Sequence, residues 1–224
     1  MEVCRKFRRG STKILETYYN GKVEKGNGEI MKEKILIASN NKHKIEEISA
    51  ILLPFGYEIS TLEDINVEID VEETGKTFAD NAILKVEALR EYWDYDILAD
   101  DSGIEFECLN GLPGIYSARF LGENTPYEIK NELILHMMQK QGDRRGRYVC
   151  CIAFLRNNEV HTFEAYLNGA IANVAKGEYG FGYDPIFFIP QLACNLAELP
   201  PEEKNKISHR SKALLMLEEF LGNE

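Results

Sequence analysis

From Lys34 onward, short apolar runs alternate with segments whose apolar residues recur at helical spacing, and this alternation confines the chain to a mixed α/β fold. Residues 35–38 read as a short buried strand, and residues 44–53 as a helix that Pro54 and Gly56 end. A second helix is expected over residues 77–92, with Phe78, Ala82, Leu84, Ala88 and Leu89 available for packing, ahead of a buried strand at 97–99. Past the turn-rich residues 110–114, a helix over 125–141 leads to a strand over 147–155. Asn157-Asn158 marks a turn into a further strand over 160–167, so this half favours antiparallel pairing. A last helix over 211–221 closes the chain, with no internal repeat and no low-complexity segment.

At 224 residues, 44% hydrophobic and 28% charged, the chain buries a real core in one large domain or two closely joined lobes, and one folding unit is the expectation. No stretch approaches the roughly 18 uninterrupted apolar residues of a membrane span. The basic first ten residues are not followed by an apolar signal segment, so a cytoplasmic protein is expected. Residues 1–30, with Arg5, Lys6, Arg8 and Arg9 clustered and a turn signal at Asn20-Gly21, carry no visible chemistry. They read as an extension of unknown role, either an appendage or upstream start before Met31 or a basic arm that touches a partner; residues 31–224 form the functional domain. Cys4, Cys108, Cys150, Cys151 and Cys194 fit neither a disulfide framework nor a zinc site and read as reduced thiols. A net charge of −11 argues against a nucleic-acid surface, although free nucleotides need only a few local cations, backbone donors and a metal.

Several short stretches carry chemistry. The turn Ser39, Asn40, Asn41, Lys42, His43, Lys44 joins a buried strand to a helix start whose free amides favour an anion, and Lys44 adds a charge; a plain helix cap reads the same way. Glu72-Glu73-Thr74-Gly75 precedes the second helix, on which Asn81 and Lys85 share a face; a solvated acidic turn and a surface lysine are the bland alternative. Asp100-Asp101-Ser102-Gly103 follows the strand at 97–99, where an α/β sheet presents its ligand site. Adjacent carboxylates repel each other, a divalent cation relieves that cost, and strand alternation lets only one of them reach it. Residues 180–185 combine glycines, Phe181, Tyr183 and Asp184 in a loop suited to stacking on a ring, or to a plain tight turn. Lys204, His209 and Arg210 group cations beside the hydroxyl of Ser208.

Taken together and in order, these stretches resemble the inosine triphosphate pyrophosphatase family, the non-canonical purine triphosphate pyrophosphatases, from about Lys34 to the C terminus. The matching stretches are residues 38–44, 73–78 with Asn81, Ala82 and Lys85, 100–103 with 109–111, 113–119, 180–185, and Glu203-Lys204 with Ser208-His209-Arg210. The resemblance implies an elongated mixed sheet flanked by helices, in two lobes with the site in the cleft between them. It also implies hydrolysis of dITP, ITP and XTP to the monophosphate and pyrophosphate, with Mg2+ as cofactor, in a homodimer. By the same resemblance, Ser39, Asn40, Asn41, Lys42, His43 and Lys44, with Lys85 and Ser102, hold the triphosphate. Glu73 and Asp101 bind magnesium, and Asp101 is also the general base. Phe181, Gly182, Tyr183, Asp184, Lys204, His209 and Arg210 surround the base and sugar, and Arg210 or His209 could donate to a 6-oxo group. Lys42 and His43 stand where the family varies, and residues 1–30 have no counterpart in it. The competing readings are a pyrophosphatase for other modified nucleotides and a non-catalytic nucleotide-binding regulator. The pair Glu73 and Asp101 argues against the regulator, which has little use for a metal-bound base.

Overall fold

The alternation resolves into one seven-stranded sheet in the order β2-β1-β3-β4-β5-β6-β7. The computed structural model describes residues 33–222, so Cys4, the basic cluster and the Asn20-Gly21 turn lie outside it. The first strands, β1 (Lys34–Ile37), β2 (Glu58–Thr61) and β3 (Asp96–Phe106), pair in parallel through β1. From β3 onward the pairing is antiparallel, through β4 (Arg145–Arg156) and β5 (Glu159–Ile171) to the short edge strands β6 (Phe187–Ile189) and β7 (Cys194–Asn195). Asn157 and Asn158 sit at φ 49° and 71°, the left-handed pair that a two-residue hairpin requires and that asparagine tolerates. Among the described residues, five helices flank the sheet: α1 (Lys42–Leu52), α2 (Phe78–Glu87), α3 (Tyr127–Met137), α4 (Pro201–Asn205) and α5 (His209–Leu221). None of the described helices is long and apolar enough to cross a membrane.

Each face of the sheet takes its own helices. On one, α1 and α5 set Ile48, Leu52, Leu214 and Leu217 against Ile35, Ile37, Leu98 and Ile152. On the other, α2 sets Ala82 and Val86 against Leu36, Ile97, Ala99 and Ala153. A separate cluster at the far end joins Ile134 and Met138 to Phe106, Leu167 and Phe187. Alternation along β3 therefore sends Leu98 to one face and Ile97 and Ala99 to the other. Cys150 and Cys151 are buried free thiols in β4, on opposite faces by the same rule.

Two elements differ from expectation. The helix expected over residues 77–92 ends at Glu87, after which Leu89, Arg90 and Tyr92 donate to carbonyls three residues back and the chain tightens into single turns. The strand expected to end at Ala99 continues to Phe106, because β4 offers an antiparallel partner for every residue from Ile97 to Phe106. Asp100, Asp101 and Ser102 thus lie within a strand and not in a turn after it. β1, by contrast, pairs with β3 only as far as Leu98. Beyond that point β3 has lost its parallel neighbour, and a cleft opens there that Asp101 and Ser102 line.

Candidate active site

Asp100 and Asp101 are both buried, at 2% and 5% exposure, yet they meet different company. On the face of α1 and α5, Asp100 Oδ2 lies 3.2 Å from Lys44 Nζ and 3.0 Å from Arg210 Nη2. Arg210 also bonds Glu47 and donates to Ser102 Oγ at 3.0 Å. Glu47 in turn lies 2.7 Å from Lys204 Nζ, which is 2.7 Å from Asp184 Oδ2. Three acids and three cations are thereby interlocked in a buried network. Burial alone would raise the Asp100 carboxyl, but Lys44, Arg210 and Lys85 outweigh it and hold the group well below the usual carboxylate range.

On the face of α2, Asp101 Oδ2 accepts from Asn81 Nδ2 at 3.1 Å, and Oδ1 lies 3.4 Å from Lys85 Nζ. The same ammonium is 2.7 Å from Glu73 Oε1 and donates to the Asp100 carbonyl at 3.2 Å. Asn81 is fully buried because its Oδ1 also accepts from Gly75 N at 2.8 Å, tying the loop that carries Glu73 to the strand. Thr77 and Asp80 form a capping box that fixes where α2 begins. Here burial raises the Asp101 carboxyl and the neighbouring Glu73 adds to the rise, against the pull of Lys85 and Lys44. Adjacent carboxyls are pushed in opposite directions by the two faces of one strand.

The turn after β1 brings the anion-binding elements to the same opening. Asn41 caps α1 by accepting from Lys44 N at 3.3 Å, its own N–H donates to Ser39 Oγ at 3.2 Å, and Asn40 Nδ2 donates to the Ile69 carbonyl at 3.3 Å. No acidic side chain occupies the first turn, so nothing there opposes an anion at the amides that precede the capped Lys44 N. Ser39, Asn40, Asn41 and Lys44 line the cleft together with Glu73, Lys85, Asp101 and Ser102. Lys42 and His43 do not: Lys42 borders a shallow depression behind the turn, and His43 stacks on Phe181 with centroids 5.1 Å apart.

The opposite wall comes from residues 180–184 and from the start of α5. Phe181, Gly182, Tyr183, Asp184, Lys204, His209 and Arg210 all line the cleft, whose volume is about 270 Å³. Asp184 organises this wall: its Oδ2 accepts from Phe181 N at 3.0 Å, and its Oδ1 accepts from Tyr148 Oη at 2.9 Å. Gly180, at φ 73°, is required there, since a Cβ would sit 2.2 Å from Asp184 Oδ2. Lys204 Nζ lies over the Phe181 ring, and His209 stacks on Tyr148 with centroids 4.6 Å apart. Burial, then the charges of Arg210 and Lys204, push the His209 imidazole far below its ordinary range, so it stays neutral, with a buried Nδ1 that has no protein partner. Arg210, expected beside the base, has its guanidinium committed to Asp100, Glu47 and Ser102.

The match to known proteins agrees with this geometry. A sequence model of the Ham1 family covers residues 35–220. The chain belongs to the Ham1 family. It is 42% identical over 190 residues to a Thermoanaerobacter sp. (strain X514) protein named dITP/XTP pyrophosphatase, covering 84% of this chain and 96% of that protein. A Staphylococcus aureus (strain MRSA252) protein of the same name is 44% identical over 195 residues, covering 87% and 98% respectively. The solved structure of the Staphylococcus aureus Ham1 protein superposes with a TM-score of 0.77 at 43% identity, covering 85% of this chain and 99% of that one.

In this Ham1 chain, four residues escaped sequence reasoning: Tyr127 and Tyr148, which line the cleft, and Glu47 and Arg119, which bond to residues that do. Glu47 had a readable signal, since it lies three residues after Lys44 on α1 and so shares its face. Tyr148 looked like any aromatic strand residue, and Tyr127 like a helix start. Arg119 ended a singled-out motif to which no chemistry was assigned.

Proposed function

We propose that the chain hydrolyses dITP, ITP and XTP to the monophosphate and pyrophosphate, removing non-canonical purines from the free nucleotide pool of the cytoplasm. The observation that carries this reading is the convergence, in one cleft of a Ham1 chain, of a helix start, Lys44 and Lys85, and the carboxylates of Glu73 and Asp101. Relatives named dITP/XTP pyrophosphatase support the substrate class.

The residues present fit magnesium. Glu73 and Asp101 already direct their oxygens at a single cation, the Lys85 ammonium, and magnesium prefers one or two carboxylates completed by water and substrate phosphates. Among the described residues there is no cluster of three or more His, Cys, Asp or Glu side chains that could hold a metal ion, so a metal here would rest on Glu73 and Asp101 with water and the substrate phosphates. Bound there, magnesium would offset the negative charge of the phosphate oxygens. The α1 amides, Ser39, Asn40, Asn41, Lys44, Lys85 and Ser102 hold the triphosphate. Lys44 and Lys85 neutralise it, and hold the α-phosphorus in line with the attacking water. Asp101, with its raised affinity for a proton, takes the proton from that water. Phe181 stacks on the base, while Tyr183, Asp184, Lys204 and His209 define the pocket edge. The two ends of the sheet act as lobes around the cleft, and the homodimer belongs to the same proposal.

Pyrophosphate release across dITP, XTP, ITP, ATP and GTP tests this. The non-canonical substrates are expected to exceed ATP and GTP in kcat/KM by at least about a hundredfold, the discrimination that a polar mismatch at the base edge supplies. Comparable rates on ATP would remove the specificity, and release of orthophosphate would show that a different bond is cut.

A further inference from the structure

Residues 113–119 match the family pattern, and Ile115, Ser117 and Ala118 line the cleft, yet none of the segment has a role in the reaction proposed above. The segment is fastened at successive points. Ser117 Oγ accepts from Ile104 N at 2.9 Å and donates to the Gly114 carbonyl at 2.6 Å. The Ser117 carbonyl accepts from Tyr183 Oη at 2.7 Å, and the Ala118 carbonyl from the buried Lys130 Nζ at 2.6 Å. Gly103, two residues past Asp101, lets the segment press against β3: a Cβ there would come within 2.4 Å of the Gly114 carbonyl oxygen. This close fastening makes Arg119 a fixed point relative to Asp101.

From that point the Arg119 guanidinium bonds Glu73 Oε2, its Nη2 reaches the Glu73 carbonyl at 3.4 Å, and its flat face lies over the Tyr116 ring, 5.0 Å from the centroid. Glu73 needs such a holder, because residues 66–77 form no helix or strand to fix it. Its two oxygens are divided between cations with different obligations: Oε1 faces Lys85, and Oε2 faces Arg119. In the reaction proposed above, Lys85 is needed by the triphosphate and the Glu73 carboxylate would serve the metal, which leaves Arg119 as the constant hold. We infer that Arg119 is a positioning residue that presents Glu73 to the metal and does not itself contact substrate. The inference rests on the magnesium reading of Glu73 and Asp101.

Arg119→Ala, Arg119→Lys and Glu73→Gln, with the Arg119→Ala/Glu73→Gln double variant, test it in the full chain. Mn2+ binding without nucleotide is read by electron paramagnetic resonance, and the magnesium half-saturation of dITP hydrolysis is measured alongside. Arg119→Ala should weaken both by about 10- to 100-fold, the range for groups that orient a metal ligand, while KM for dITP at saturating metal stays within about threefold. Arg119→Lys should recover part of the loss, and the double variant should be no worse than Glu73→Gln. Thermal midpoints show which variants are folded, and Arg119→Lys retains the stem over Tyr116 should the alanine form not fold. Unchanged Mn2+ affinity in Arg119→Ala, a defect confined to KM, or losses that add to those of Glu73→Gln would overturn the positioning role while leaving the function intact. A wild-type chain that binds no Mn2+ and hydrolyses dITP equally well in chelator would overturn the metal reading and this inference with it.

Discussion

The two faces of β3 treat adjacent aspartates in opposite ways. Asp100 is enclosed by Lys44 and Arg210 and belongs to a network in which Glu47 and Asp184 take up the remaining cationic contacts. Asp101 shares one lysine with Glu73 and takes a single neutral hydrogen bond from Asn81. A carboxylate surrounded by cations is held ionised and is a weak base. One that is buried with less compensation keeps a higher proton affinity and is the better base. Strand alternation, which sends neighbours to opposite faces, is what allows one dipeptide to supply both a structural anchor and the base proposed here.

The comparison can be broken most severely at Asp101. Asp101→Asn keeps the shape but removes the proposed proton acceptor and one proposed metal ligand. General-base loss alone is worth roughly 10²- to 10⁴-fold, so kcat should fall by at least about a thousandfold while the unfolding free energy changes by no more than about 1 kcal/mol. Steady-state kinetics and denaturant unfolding check both halves.

Asp100→Asn should show the inverse pattern. It leaves Lys44 and Arg210 buried against a neutral amide, which costs about 3 kcal/mol, the low end for a broken buried ion pair, because Glu47 still holds Arg210. kcat should fall far less than in Asp101→Asn. The pH dependence has a definite sign. Because the folded Asp100 carboxyl lies below its unfolded value, its contribution to stability is present above about pH 3.9 and is lost as pH falls further. Unfolding curves between pH 3 and 7 should therefore be flatter at the acid end for Asp100→Asn than for wild type.

The smallest effect sharpens the comparison by locating it. Both faces of β3 are built within residues 33–222, so deleting residues 1–30 should leave kcat nearly unchanged and alter stability by no more than about 0.5 kcal/mol. A large loss in either would tie the extension to the cleft or to a subunit interface.

The sequence revealed one of these faces better than the other. Asn81 and Lys85, four apart on a helix, were readable as a shared face, and both meet Asp101. Short apolar runs marked β1, β4 and β5, and Asn157-Asn158 marked the hairpin. The network behind Asp100 was less legible, because it joins residues up to 163 positions apart and rests on tertiary burial of side chains that are ordinarily exposed. Glu47 looks like one of two surface glutamates, and Arg210 like a free cation for the base. The apolar pattern of β3 stops at Ala99, where two acids, a serine and a glycine interrupt it. Its continuation is dictated by β4, which no local signal announces.

The most direct measurement is a 13C NMR titration of the side-chain carboxyls in aspartate-labelled, metal-free protein, with Asp100→Asn and Asp101→Asn used for assignment. The Asp101 resonance should titrate above the ordinary value of about 3.9, while the Asp100 resonance should stay that of a carboxylate until acid unfolding. An Asp100 that takes up its proton at or above the pH at which Asp101 does would contradict the division of roles between the two faces.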